Sequence, residues 1–210
     1  MAGSRITDVG MLEDVIGKPM EYAHVKVLRE LDGVMKDFVR RAPLVFVATV
    51  DEDGEPDVSP KGDPAGFVEI TKDGSLLIPE RPGNRLTFGF RNILRNGRIG
   101  LIFLVPNQRE TLRVKGRATL HHDPEVEARM RVNGKPALLH TRVEVSECFF
   151  HCGKALIRSH LWKPEQWPTE GRSIAARQWA RQWASIMPQN EVSVEETESL
   201  LDSSYKDELY

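Results

Sequence analysis

The chain has 210 residues, of which 40% are hydrophobic and 29% charged, with a formal net charge of −2; this composition belongs to a soluble globular protein and excludes a fibrous or wholly disordered one. No apolar run approaches the roughly 20 residues needed to cross a bilayer, and the opening MAGSRITDVG holds no apolar signal core. Two cysteines, Cys148 and Cys152, are too few for a disulfide framework, so a cytoplasmic, reducing setting is expected, with no membrane partner.

Residues 11–40 read as a helix. Val25, Leu28, Leu31, Val34, Met35 and Phe38 make an apolar stripe opposite a charged face, and Arg41-Ala42-Pro43 ends it, because proline disfavours helix in the residue before it. The run 44–50, LVFVATV, is apolar and β-branched, the pattern of a strand buried on both sides. Asp51-Glu52-Asp53-Gly54 supplies a hairpin turn. A second strand carries Ser59-Pro60-Lys61-Gly62. Residues 67–71 form a short β-prone run, Lys72-Asp73-Gly74 a turn, and residues 76–79 a further apolar run. Leu86, Phe90, Ile93 and Leu94 then repeat at helical spacing, with Gly97 where a helix stops, so a strand hands over to a helix at Pro82-Gly83-Asn84.

Residues 99–105 read as a central strand and Pro106-Asn107-Gln108 as a turn. Residues 111–122 alternate as a half-buried strand, with His121 and His122 at its solvent end. Asp123-Pro124 opens a short helix to about Val132, Asn133-Gly134-Lys135-Pro136 breaks it, and residues 139–145 form the last long strand. Residues 172–187 make a helix with Ala176, Trp179, Ala180, Trp183, Ile186 and Met187 on one stripe. Ser193-Val194-Glu195-Glu196 is a capping box for a last acidic helix with Leu200, Leu201, Tyr205 and Leu209 on its apolar side. Lys206-Asp207-Glu208-Leu209 spells a retrieval signal, but Tyr210 follows it, so it is not read as one.

Six or so strands joined by hairpins, with short helices between them, suit a mainly β, closed antiparallel barrel with helical extensions. The expected organisation is an N-terminal helical extension over 1–42, a barrel domain over 43–160 and a C-terminal helical extension over 161–210. No GxGxxG follows a strand, which removes a Rossmann site. Charge is unevenly spread: residues 81–117 hold nine basic side chains against Glu110 alone. Such a stretch binds phosphate, binds nucleic acid or is simply solvated. No helix-turn-helix, zinc-finger or RNA-binding strand motif accompanies it, so nucleic acid is not the expected partner. Cys148, His151, Cys152 and His160 do not follow a zinc spacing, and no metal is expected.

The chemistry concentrates in residues 57–85. Open N–H groups at a helix start attract anions, Arg81 and Arg85 lie beside the one predicted here, and Lys61 stands on a neighbouring strand or its loop. Glycines at 62 and 83 let a ligand approach the backbone. The same residues also suit two ordinary turns on a solvated, arginine-rich surface.

The order Phe46-Val47-Ala48-Thr49-Val50, Asp53-Gly54-Glu55-Pro56, Val58-Ser59-Pro60-Lys61-Gly62, then a strand ending at Pro79, Arg81 to Arg85, and a helix ending Asn96-Gly97-Arg98 resembles the pyridoxamine 5′-phosphate oxidase-like FMN-binding split barrels over roughly residues 40–160. It is most similar to a bacterial branch of FMN-dependent proteins whose substrate is unassigned. The resemblance implies a homodimeric split barrel with FMN at the dimer interface and oxidoreductase chemistry on a small-molecule substrate. It implies that Lys61, Arg81 and Arg85 neutralise the FMN phosphate, with Ser59 and Asn84 as neutral donors, and that Ile78, Pro79 and Glu80 lie along the flavin ring. It also brings Gln108, from the other subunit, and Lys154 or Arg158, four residues apart on one helical face, to the cofactor. Ordinary surface charge explains the last pair equally well. Arg158-Ser159-His160 mimics the substrate-binding Arg-x-His of true pyridoxamine-phosphate oxidases, but its surroundings do not match. A non-catalytic flavin or haem carrier and a deazaflavin-dependent reductase stay open as alternatives, and no acid–base residue is located by spacing.

Overall fold

The computed structural model describes residues 4–167, 174–186, 193–207, 209 and 210. The single helix expected over 11–40 is broken. Helix α1 spans Val9–Ile16, a 3₁₀ turn Glu21–His24, and α2 Gly33–Arg41. Gly17 leaves α1 at φ 83°, and Asp32 starts α2 afresh by accepting a hydrogen bond from the Met35 N–H at 2.8 Å. Val25 and Val34 are consequently exposed, whereas Leu31, Met35 and Val39 enter the core. Phe38 of α2 meets Phe150 edge-on at 5.3 Å.

Seven antiparallel strands make one sheet: β1 Leu44–Val50, β2 Pro56–Gly62, β3 Glu69–Ile70, β4 Leu76–Pro79, β5 Arg98–Leu104, β6 Thr111–His121 and β7 His140–His151. Their order is β2-β1-β5-β6-β7-β4-β3. β1 is buried on one side only, not on both. Val45, Val47 and Thr49 point inward, while Phe46 stays 37% exposed because, among the described residues, no layer covers the outer row there. The inner rows run across the ladder through Val45, Phe103 and Leu112, and through Val47, Leu101, Val114 and Cys148. Gly116 sits at the register shift in β6, where a Cβ would collide with the Glu144 carbonyl oxygen.

Strand order puts β2 and β4 near opposite ends of the sheet. Yet Lys61 at the end of β2 lies 2.7 Å from Glu80 just past β4, and Asp63 lies 2.8 Å from Arg81. The sheet therefore curls until its ends face each other across a seam, and among the described residues no strand ladder joins them. This is an antiparallel split barrel.

Helix α3, Phe88–Asn96, packs on β1, β2, β5 and β6, on the β2 side of the seam. Residues 80–87 before it are irregular, so the helix starts later than the apolar spacing suggests, and Leu86 and Leu94 are exposed. Asn92 Nδ2 donates to Thr49 Oγ1 at 3.1 Å, and Asn96 Nδ2 to the Val50 carbonyl at 2.7 Å. Gly97 closes the helix at φ 66°, its N–H reaching the Ile93 carbonyl. Helix α4, Pro124–Arg129, is capped by Asp123 and covers the outer face of β4, where Leu77 packs with Met130 and Ala137.

β7 runs to His151, so Cys148 belongs to the sheet, pairing with Val114 and exchanging both backbone hydrogen bonds with Leu28. Helices α5 Lys154–Arg158, α6 Ile174–Ile186 and α7 Val194–Asp207 follow. Arg172, Ser173 and Met187 of the expected α6 lie outside the described residues. On α6 the buried side chains are Ala176 and Ala180, and Trp183 is exposed. The capping box of α7 forms: Ser193 Oγ accepts from the Glu196 N–H at 3.1 Å, and Glu196 Oε2 from the Ser193 N–H at 2.8 Å. Its buried side chain is Thr197, while Leu200, Tyr205 and Leu209, expected on an apolar face, are exposed. No described helix is long and apolar enough to cross a membrane.

Burial, reinforced by the carboxylates of Asp32, Glu147 and Glu30, pushes the Cys148 thiol up to about 11. Thiol reagents attack the thiolate. Cys148 is therefore expected to stay unmodified in the native protein at mildly alkaline pH and to react fully in denaturing guanidinium chloride, as read by mass spectrometry of the labelled peptide.

Candidate functional site

A cleft of about 420 Å³ opens along the seam, a volume in the range of small-molecule sites. β2 supplies Asp57, Ser59 and Lys61, which alternate with outward residues and share the inner face with Thr49, Val47 and Val45 of β1. An edge strand whose inner row faces an open seam carries polar side chains there at less desolvation cost than in the core, which explains this row. β4 and the turn after it supply Ile78, Glu80 and Arg81. The loop into α3 supplies Gly83, Asn84 and Arg85, and α3 supplies Phe88, Gly89, Phe90 and Ile93. Leu138 and Thr141 close the far wall.

Two of the three basic side chains are already partnered. Lys61 Nζ lies 2.7 Å from both Glu80 Oε1 and Oε2, with the two side chains 22% and 18% exposed, and 5.0 Å above the Phe90 ring. Arg81 Nε donates to Asp63 Oδ2 at 2.8 Å and Arg81 Nη2 to the Met130 carbonyl at 2.6 Å. Asp63 is buried, and its Oδ1 and Arg81 Nη1 lack a hydrogen-bond partner among the described residues. Arg85 makes no ion pair or hydrogen bond among the described residues and is exposed.

Arg81 is held from behind as well. Its acceptor, Met130, ends α4, which Glu127 anchors: Oε1 accepts from the Asp123 N–H, and Oε2 lies 2.8 Å from His122 Nδ1. His121 stacks on the buried His140 at 5.4 Å, so both strand-end histidines have partners although both are exposed. Beyond Arg81 a second hollow lies between Pro82, Lys135, Pro136 and Tyr210. Burial and the Asp63 charge raise the Tyr210 phenol above its ordinary range.

The loop geometry is unusual for its residue types. Arg85 (φ 61°) and Thr87 (φ 56°) both take left-handed backbone without being glycine, a conformation that concentrates at ligand sites. Asn84 Oδ1 accepts from the Leu86 N–H at 3.1 Å. Thr87 begins α3 without a side-chain cap, and no acidic residue stands in the first turn. The helix therefore presents open N–H groups and the positive end of its dipole to the seam. Gly89 packs against Asp57, with a notional Cβ 3.3 Å from Asp57 Oδ2.

The structure thus brings Ser59, Lys61, Ile78, Glu80, Arg81, Asn84 and Arg85 to one cleft. Pro79 stands between Ile78 and Glu80, paired with His140. Gly83 faces open space, whereas Gly62 turns outward toward the Pro43 carbonyl. Gln108, in the β5–β6 turn, and Lys154 and Arg158, on α5, do not line the cleft of their own chain; the Gln108 carbonyl accepts from Trp162 Nε1 at 2.8 Å. Asp57 and Asp63 were not singled out from sequence. Asp57 was within reach, since it shares the two-residue period of Ser59 and Lys61. Leu138 and Thr141 carry no local signal.

Residues 31–152 match the family described as pyridoxamine 5′-phosphate oxidase. Among solved structures, HupZ of Group A Streptococcus is similar at 22% identity over 57% of this chain and 93% of its own, with a TM-score of 0.45. General stress protein 26 of Bacillus anthracis is similar at 12% identity over 54% of this chain and 88% of its own (TM-score 0.42). An F420 reductase is similar at 19% identity over 55% and 94% (TM-score 0.40). No curated protein matches the sequence.

Removing Asp63 strands the Arg81 guanidinium in a buried place. Asp63→Ala is expected to lower stability by about 3–5 kcal/mol, while Arg85→Ala, which breaks no pair, stays within about 0.5 kcal/mol. Denaturant midpoints of the two variants give the comparison.

Proposed function

The chain belongs to the pyridoxamine 5′-phosphate oxidase family, which matches more than half of it, and from that premise we propose that it is an FMN-dependent oxidoreductase acting on a small molecule. The observation that carries the reading is the convergence of unpaired Arg85, Lys61, Ser59, Asn84 and the uncapped start of α3 on one cleft with apolar walls. Cations, neutral donors and open amides are the donor set a phosphate needs. Ile78, Leu138 and the aromatic side chains of α3 are the apolar surface that a flavin ring needs.

In this reading Lys61 and Arg85 hold the phosphate, Ser59 and Asn84 donate to it, and Arg81 fixes the shape of the loop from behind. The backbone of Ile78-Pro79-Glu80 lies along the ring, while the Glu80 side chain turns to Lys61. Bound FMN supplies the electron-transfer chemistry; the protein's part is grip, orientation and exclusion of water. No side chain is assigned as acid or base.

The protein acts as a homodimer in this proposal. Phe46, Ile102 and Val58 leave an apolar patch 37%, 38% and 60% exposed on the outer sheet face, with Phe46 opposite Ile102 in register and Val58 one row over, opposite Ala48, the kind of patch that marks an interface. Gln108, Lys154 and Arg158 contribute to the cofactor only where a second copy brings them to the cleft.

Flavin titration followed by absorbance and fluorescence, with mass measured by light scattering, tests the reading. The expected result is one FMN per chain in a dimer, with Lys61→Ala and Arg85→Ala each weakening FMN by about 10- to 100-fold, the equivalent of a charge-assisted hydrogen bond. Unchanged affinity in both variants would remove the phosphate assignment, and a monomer with full flavin would remove the interface. Uptake of a deazaflavin or haem in place of FMN would keep the cleft and change the chemistry.

A further inference from the structure

The cleft holds a carboxylate where its cofactor's phosphate is expected to bind. Lys61 comes from the end of β2, Glu80 from the turn after β4, and Phe90 from α3. These three elements meet at one ammonium group, 2.7 Å from each Glu80 oxygen and 5.0 Å over the Phe90 ring. An ammonium has three donors and a compact charge. With two carboxylate oxygens and a ring face against it, Lys61 has little left to offer an incoming anion. The pair is also largely out of water, with side chains 22% and 18% exposed, so its attraction is screened less than at an open surface.

Resting on the FMN reading above, we propose that Glu80 is an internal competitor for Lys61 that a phosphate must displace. Chloride or a carboxylate offers Lys61 no more charge than Glu80 already does, so such ions do not part the pair. A phosphate dianion offers more charge and more acceptor oxygens. When Lys61 turns to it, Glu80 is left partly buried without its cation, and that cost is subtracted from the affinity. Arg81 is less free than Arg85 to take the place of Lys61, because Asp63 and the Met130 carbonyl hold its Nε and Nη2. Arg85, unpaired in the loop, is the cation that meets the phosphate at no such cost. Glu80 thus keeps the seam clasped and the cleft close to neutral until a doubly charged ligand arrives, and it keeps the bound cofactor exchangeable.

FMN and riboflavin differ in the phosphate alone, so their affinities for the wild type, Glu80→Gln, Lys61→Met and the double variant isolate the competition. Glu80→Gln is expected to tighten FMN by about tenfold while leaving riboflavin unchanged. Riboflavin also serves as the folding control, since it needs the cleft but not Lys61. In the Lys61→Met background the gain from Glu80→Gln should vanish. A preference for FMN over riboflavin in the wild type, with Glu80→Gln neutral or weaker toward FMN, would overturn the competition and make Glu80 a support for Lys61. A gain that persists without Lys61 would also overturn it, reducing Glu80 to simple repulsion. Equal affinity for FMN and riboflavin in the wild type would instead overturn the phosphate reading itself. If Glu80→Gln lost riboflavin as well, the exchanged pair Lys61→Glu with Glu80→Lys keeps the clasp. Competition then predicts FMN affinity near the wild-type value, and a loss there of more than about tenfold would contradict it.

Discussion

Two ion pairs hold together the ends of a sheet that backbone hydrogen bonds leave apart. Strand β2 pairs only with β1, and β4 lies next to the other end of the order, so the curl would be an open trough without something across it. Lys61 with Glu80 and Asp63 with Arg81 span that gap, and α3 packs beside it on β1 and β2. A seam made of charge has a different chemistry from one made of ladder. Its inner row is polar, it admits ligands, and its partners can be exchanged one for another.

The two pairs differ in what they can do. Asp63 and Arg81 are almost wholly withdrawn from solvent, and Arg81 is further tied to the end of α4, so this pair is structural. Lys61 and Glu80 border the cleft and retain some exposure, so their partnership can yield to a stronger anion. Helix α3 joins both roles. Asn92, Asn96 and Gly97 fix its far end to β1 and β6, and the fixed end aims the uncapped start into the seam. The left-handed Arg85 and Thr87 belong to the same arrangement, since turning the chain sharply enough to point α3 inward forces those angles.

Much of this was legible in the sequence, and the failures have physical reasons. The strands over 44–50, 76–79, 99–105 and 111–122 announce themselves through β-branched runs and alternation, and Asp123-Pro124 and Ser193 through capping chemistry. The long N-terminal helix misled because Val25, Leu28 and Leu31 keep helical spacing with Val34, Met35 and Phe38 by chance across Asp32-Gly33, where the cap restarts the chain. β1 looked buried on both faces because Phe46, Ala48 and Val50 are as apolar as the inner row. Lys61, Arg81 and Arg85 could be grouped from the resemblance of their motifs, but their pairing could not. Glu80 stands 19 residues from Lys61 and Asp63 stands 18 from Arg81, and only the curl of the sheet makes them neighbours. The sequence therefore marked the cations, and Glu80 beside them, without showing which carboxylate opposes which cation.

The most direct measurement of the central claim is the phosphorus-31 resonance of FMN in the presence of the protein. A phosphate gripped at the seam should give a shifted, broadened resonance at stoichiometric protein, and Arg85→Ala should return it toward the free position. A resonance that keeps its free position and width, with flavin absorbance nevertheless perturbed, would mean that the ring binds without the phosphate and that the basic seam is not the site of its recognition.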